Sequence, residues 1–153
     1  MFSLFKKKAP DFFEQQEKEK ILAAIKTAEQ RTSGEVRVFI ESHCRFVNPL
    51  DRAYEVFYGL KMQETEKRNG VLVYVAMKDR QLAIFADEGI YGKAGETYWN
   101  NEVKTMLKEF GQQHHADGIA QVVLDIGELL NAHFPYDAGT DKNELPDDIV
   151  FGR

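Results

Sequence analysis

The sequence predicts a mixed α/β fold: an αβα sandwich whose small mixed sheet combines a parallel βαβ crossover with a central hairpin and carries helices on both faces. Three observations predict it. First, Asn69 to Ile90 holds two apolar runs, Val71 to Met77 and Leu82 to Ala86, joined by the tight charged turn Lys78-Asp79-Arg80. Runs that are apolar on both faces suit strands covered on both sides, whereas a half-exposed strand alternates apolar with polar. Second, stretches with helical apolar spacing flank this pair on both sides in the chain. Third, a strand, a helix and the first apolar run succeed one another, and that linkage closes as a right-handed parallel crossover.

Taken in order, residues 1–10 read as a flexible leader. Lys6-Lys7-Lys8 follow a few apolar residues and no apolar run comes after them, the reverse of a secretory signal. No later stretch approaches the ~20 apolar residues of a spanning helix, so a cytoplasmic product is expected. Residues 11–135 read as one domain. Its first helix carries the narrow stripe Ile21, Leu22, Ile25 and Ala28 and stops at Ser33-Gly34. Glu35 to Glu41 then alternates, with Val36, Val38 and Ile40 on one face and Arg37, Phe39 and Glu41 on the other.

After the loop Ser42 to Val47, Asn48 caps a second helix with Pro49 at its first position. Leu50, Ala53, Tyr54, Phe57 and Leu60 give its expected core stripe, and the helix frays through Glu64 to Arg68 before Asn69-Gly70 stops it. The central pair follows. Gly89, Gly92 and Gly95 then mark a loop. Trp99, Val103, Met106, Leu107 and Phe110 form one broad face of a long helix broken at Gly111. Ile119, Val122, Val123, Ile126, Leu129 and Leu130 repeat the pattern until Pro135. Residues 136–153 form an acidic tail whose apolar end, Ile149-Val150-Phe151, can dock on a sheet edge or in a groove or stay solvated.

Composition narrows the function. A chain of 153 residues with 43% hydrophobic content buries one ordinary core. The net charge of -5 and pI near 5.4 argue against general affinity for nucleic acid or anionic lipid, which need a basic surface. The single Cys44 forms no internal disulfide, which is compatible with a reducing compartment.

Ser33-Gly34-Glu35-Val36-Arg37-Val38, then Asn69-Gly70-Val71-Leu72-Val73, then Asp79-Arg80 and Ile84 resemble successive motifs of the TPM domain family. The likeness runs from about Ile21 to Phe134, and Phe134-Pro135 with Asn143-Glu144-Leu145-Pro146-Asp147 resembles its short branch without signal peptide or membrane span. The resemblance implies an αβα sandwich. For function it implies the calcium binding and weak acid phosphatase activity of plant thylakoid relatives, or the receptor modulation of animal ones. For a partner it implies a LemA-type or other membrane-associated protein, because bacterial members often neighbour LemA-type genes. Ala86-Asp87-Glu88-Gly89-Ile90 stands where relatives tend to have a glycine-rich turn ending in an acidic residue.

The candidate site residues follow from chemistry. Calcium wants six to eight oxygens and magnesium six. Asp87 and Glu88 leave the third strand at the end opposite Asp79, about 20 Å away across a seven-residue strand. Their expected partners in a calcium or magnesium site come from the start of the second strand or from the loop before Trp99, Glu96 among them. No catalytic residue is assigned: no cysteine lies in a phosphate-cradling loop, and Gly89 to Gly95 lacks a P-loop's lysine and hydroxyl. His114-His115 point about 100° apart on a helix and do not share a ligand face. His43 beside Cys44 reads as a loop pair, and His133 as a cap or packed residue. Lys78, Asp79 and Arg80 are either turn structure or an anion or partner contact, and Tyr91, Tyr98 and Trp99 are core or a partner surface. Two functions are weighed: a noncatalytic cytoplasmic interaction or adaptor module using Gly89 to Trp99 and the acidic tail, and a divalent-metal protein with weak phosphatase activity.

Overall fold

The computed structural model of the chain describes residues 12–136 and 148–152. The leader and most of the acidic tail, including the Asn143 to Asp147 motif, lie outside the described residues. The element order is α1 (Gln15–Arg31), β1 (Glu35–Glu41), α2 (Pro49–Gly59), β2 (Gly70–Ala76), β3 (Gln81–Ala86), α3 (Glu88–Ala94), α4 (Glu96–Gly111), α5 (His115–His133) and β4 (Ile149–Phe151). One four-stranded sheet in the order β3-β2-β1-β4 divides the molecule. The register pairs Val38 with Val73 in parallel, Val73 with Ile84 antiparallel, and Val38 with Ile149 in parallel. The expected mixed sheet with a βαβ crossover and a hairpin is therefore present.

Side-chain alternation along the strands makes two cores. Val36, Val38, Ile40, Val73, Val75 and Ile84 face α1, α4 and α5, where Ile21, Ile25, Met106, Ile119, Val123 and Ile126 meet them. Phe39, Leu72, Tyr74 and Ala83 face α2 on the other side, packed with Ala53, Phe57 and Met62. Burial of apolar surface on both faces at roughly 25 cal/mol per Å² drives the layering. Two charged strand residues share the face of Phe39: Arg37 is 7% exposed and Glu41 5%. Arg52 clasps Glu41 with two hydrogen bonds of 2.9 Å, and the Tyr74 hydroxyl donates a third.

Four expectations are corrected. The glycine stretch after β3 is a helix, α3, rather than a loop. Asp87 caps it by accepting from the Glu88 N–H at 2.8 Å, and Gly95 at φ 87° ends it and opens α4. Second, α2 turns Ala53, Val56 and Phe57 inward, while Leu50 and Tyr54 remain 44% and 54% exposed. The Phe57 ring and the small Ala53 fit the close approach to β2 and β3 better than a large residue at 50 or 54. Third, α2 ends at Gly59, and Lys61 and Arg68 take left-handed turns at φ 60° and 52° instead of continuing a frayed helix. Fourth, Leu107 is 46% exposed rather than core. Of the placements open to the chain's end, the structure adopts the sheet edge: Ile149–Phe151 is β4, and Gly152 N–H donates to Ile40 C=O at 2.7 Å. Among the described residues no helix is long and apolar enough to cross a membrane.

Candidate functional site

A groove of about 780 Å³ runs along the outer side of β3. Its volume lies within the range of ligand clefts. Pro49, Leu50 and Tyr58 of α2 wall one side, Trp99 and Val103 of α4 wall the other, and Leu82 to Ala86 form its floor. β3 is covered on both faces but is the last strand of the sheet, so its lateral edge opens into this groove.

The strand edge has definite chemistry. The Asp87 N–H donates to Gly70 C=O at 2.9 Å, which makes Gly70 and Asp87 a hydrogen-bonded pair. In an antiparallel ladder such pairs alternate, so Gln81, Ala83 and Phe85 direct their backbone groups to β2 in the register Ala76, Tyr74 and Leu72. The N–H and C=O groups of Leu82, Ile84 and Ala86 therefore point the other way, into the groove.

One end of the groove is built by α3 and the start of α4. Tyr91 stacks on Trp99 with ring centroids 6.4 Å apart and planes 8° apart, and the Trp99 indole N–H donates to the Tyr91 carbonyl at 3.0 Å. Trp99 is buried, whereas Tyr91 is 44% exposed. Asp87, Glu88 and Glu96 line the same end. Arg68 engages both Asp87 oxygens at 2.7 and 2.9 Å, and its guanidinium lies 3.5 Å from Glu88. Asp87 is 2% exposed, Glu88 74%. The three carboxylates expected to gather for calcium or magnesium line one groove, but the carboxylate of Asp87 is committed to Arg68 and to the α3 cap. Among the described residues no three His, Cys, Asp or Glu side chains converge as a metal site requires.

The other expected contact residues are elsewhere. Lys78, Asp79 and Arg80 form the β2–β3 turn, at the end of the hairpin away from Asp87. Asp79 serves structure there: it accepts from the Cys44 N–H at 2.7 Å and pairs with His43 Nδ1 at 2.9 Å. The His43 contact, followed by the Cys44 amide, holds its carboxyl below the usual range. The loop pair His43-Cys44 is thereby tied to the β2–β3 turn. His114 Nδ1 lies 3.3 Å from Glu109, and His115 packs its ring 4.5 Å from Phe110.

Tyr98 turns away from the groove toward Glu102 and Asp125 between α4 and α5. Burial, then Asp125, pushes the Glu102 carboxyl up to about 8, and burial raises the Tyr98 hydroxyl. A carboxyl raised in the folded state holds a proton that the unfolded chain has released. Its contribution is therefore complete below the ordinary value of 4.5 and is lost as pH rises through about 8. Glu102→Gln is expected to flatten the fall in stability between those two values and to leave the acid side unchanged, as read from denaturant midpoints across pH.

Sequence reasoning found Tyr91, Trp99, Asp87, Glu88 and Glu96 at this site. It missed Leu50, Tyr58, Val103 and the free β3 edge. The signal for Leu50 was its place on α2 beside an alternative stripe through Val56.

A family model described as the TPM domain matches residues 7–129. Among solved structures, the BA42 protein of the psychrophilic bacterium Bizionia argentinensis is 34% identical, with 95% of this chain and 99% of that chain covered and a TM-score of 0.84. The N-terminal domain of the cg2496 protein from Corynebacterium glutamicum, at 16% identity and a TM-score of 0.55 over 88% of this chain and 80% of that one, shares the fold alone. No curated protein matches the sequence.

Proposed function

Because the chain belongs to the TPM domain family, its αβα scaffold is common property and its own role lies at the rim; we propose that it is a noncatalytic cytoplasmic interaction module that takes a protein partner into the β3 groove. The observation that carries this reading is the pairing of an open strand edge with aromatic walls. Partner sites favour clustered aromatics with a polar rim, and here Tyr91, Trp99 and Tyr58 stand beside Glu88, Glu96 and Lys104. A LemA-type or other membrane-associated protein is the partner to test first.

The divalent-metal phosphatase alternative needs carboxylate oxygens free to turn to a cation. With Asp87 held by Arg68, Glu88 and Glu96 alone remain of the expected trio, two ligands where calcium wants six to eight oxygens.

Tyr91→Ala is expected to weaken capture of the native partner about tenfold without changing the unfolding midpoint, since the ring is 44% exposed and truncating an aromatic anchor costs about 1–2 kcal/mol of binding. The check is affinity capture from the native cell, identification of the retained protein and titration of the purified pair. A partner that binds Tyr91→Ala and Leu50→Asp as tightly as the unaltered chain rules the groove out. Truncation at Tyr136 is a poor substitute, because it also strips β4 from β1.

A further inference from the structure

We propose that the partner enters the groove as an extended segment that adds a fifth strand to β3, an apolar run of roughly five residues with a basic residue at one end and an acidic residue at the other. This rests on the groove being the partner site, and it specifies what fits there. The first argument is backbone chemistry. The side chains of Leu82, Ile84 and Ala86 lie in the core, while their outward N–H and C=O groups face the groove without a backbone partner among the described residues. A peptide strand satisfies all of them at once, as strand addition does elsewhere.

The second argument is shape. An unguarded edge pairs with any other edge and aggregates. Here α2 and α4 stand on either side of the edge and wall a groove of about 780 Å³, which suits a single extended chain better than a second sheet carrying its own helices. Side chains alternating along the added strand meet Leu50 and Tyr58 on one side and Trp99 and Val103 on the other, so both of its faces are apolar.

The third argument is charge. α4 starts beside α3, just past the end of β3, where Trp99 bonds Tyr91. From there α4 runs on along the groove wall through Trp99 and Val103, and Lys104 stands eight residues past Glu96, about 12 Å along the helix axis. Glu88 and Glu96 thus mark one end of the groove, and Lys104 lies toward the other. A segment with a lysine or arginine over the glutamates and a carboxylate over Lys104 matches both ends.

The test uses the full chain and a displayed library of random ten-residue peptides, with the selected peptides then synthesised. Amide hydrogen exchange is followed by NMR with and without each peptide. The expected result is at least tenfold slower exchange at Leu82, Ile84 and Ala86 on binding, with Ala83 and Phe85 slow throughout. Ile84→Pro is expected to abolish binding, since it removes an outward donor that β2 does not use, and proline is tolerated at such edge positions. Should that variant fail to fold, the exchange pattern of the unaltered chain decides. Glu88→Lys with Glu96→Lys is expected to weaken binding of peptides with a basic end by tenfold or more. Peptides that shift Tyr91 and Trp99 signals but leave Leu82, Ile84 and Ala86 exchanging freely overturn strand addition and leave the groove standing. Peptides that bind away from the groove, or an absence of binders, overturn both. Concentration-dependent protection of the same amides in the free protein makes a second copy the occupant and overturns the proposal.

Discussion

Arg52→Ala is expected to lower the unfolding free energy by about 3 kcal/mol, roughly 10 °C in Tm for a chain of this size. Removing the guanidinium strands the carboxylate of Glu41, a residue only 5% exposed in the intact fold, with the Tyr74 hydroxyl in place of a two-pronged partner. The loss lies at the low end for a broken buried pair because the Arg52 side chain is itself 25% exposed. Two neighbours add to the loss: Arg52 also pairs with Glu55 and lies 5.7 Å over the Phe39 ring, which stacks on Tyr74 at 6.1 Å. The signature that separates a stranded charge from lost packing is the double variant Glu41→Met with Arg52→Met. Replacing both partners by apolar groups is often neutral or stabilising, so the double variant is expected to recover most of the loss. If it is as unstable as Arg52→Ala alone, packing against Phe39 rather than the charge pair holds α2 to the sheet.

The same pair sets an acid limit. Burial pushes the Glu41 carboxyl up, but hydrogen bonds from Arg52 and Tyr74, with the Arg52 charge, outweigh burial and hold it below the ordinary carboxylate value of 4.5. A depressed folded value contributes stability that is present above the unfolded value and is lost as pH falls through the folded one. The unaltered chain should therefore lose stability below about pH 4.5 more steeply than Glu41→Gln, in denaturant titrations from pH 5 downward. Because Arg52 fastens α2 to β1, and α2 carries Leu50 and Tyr58, the pair also holds one wall of the groove in place.

The strands β1, β2 and β3 were legible because period-two patterns and turn residues act over a few positions, and the structure keeps their bounds to within a residue at most ends. The break at Gly111 was legible for the same reason, and the stop read at Ser33-Gly34 falls two residues past the end of α1 at Arg31. What failed needed partners distant in sequence. Seven residues with three glycines read as a loop, since nothing local announces that Asp87 will be locked by Arg68 into a helix cap. Tyr54 fits an apolar stripe as well as Val56 does, and only the position of β3 decides which of them faces inward. The site divides in the same way. Asp87, Glu88, Tyr91, Glu96 and Trp99 are close in the chain and were found together, whereas Leu50 and Tyr58 arrive from the other side of the sheet. Apolar runs told that β2 and β3 are covered on both faces, but strand order is a global property. Of two equally apolar strands, one is central and the other has the free edge.

Gly89→Ala is expected to destabilise the fold by about 3 kcal/mol, the upper part of what overpacking costs, although alanine is the better helix former by about 1 kcal/mol. A Cβ at this position would lie 2.1 Å from the Lys67 carbonyl oxygen and 2.5 Å from that of Arg68. Both atoms are backbone, so relief requires moving either α3 or the turn that holds Arg68 at φ 52°. Moving α3 would break the 2.8 Å bond from the Gly89 N–H to the Arg68 carbonyl and draw Asp87 away from its guanidinium. Gly92 in the same helix has nothing within 4 Å of its would-be Cβ, so Gly92→Ala should stabilise the chain by up to about 1 kcal/mol. The two substitutions, three residues apart in one helix, thus carry opposite signs. Trp99 is the sole tryptophan and stacks on Tyr91 of α3, so its emission reports whether the helix has shifted. A red-shifted spectrum is expected for Gly89→Ala and an unchanged one for Gly92→Ala. If the two variants match in both stability and emission, α3 does not rest on the turn at 67–68, and the acidic end of the groove lacks the support that holds it open to a partner.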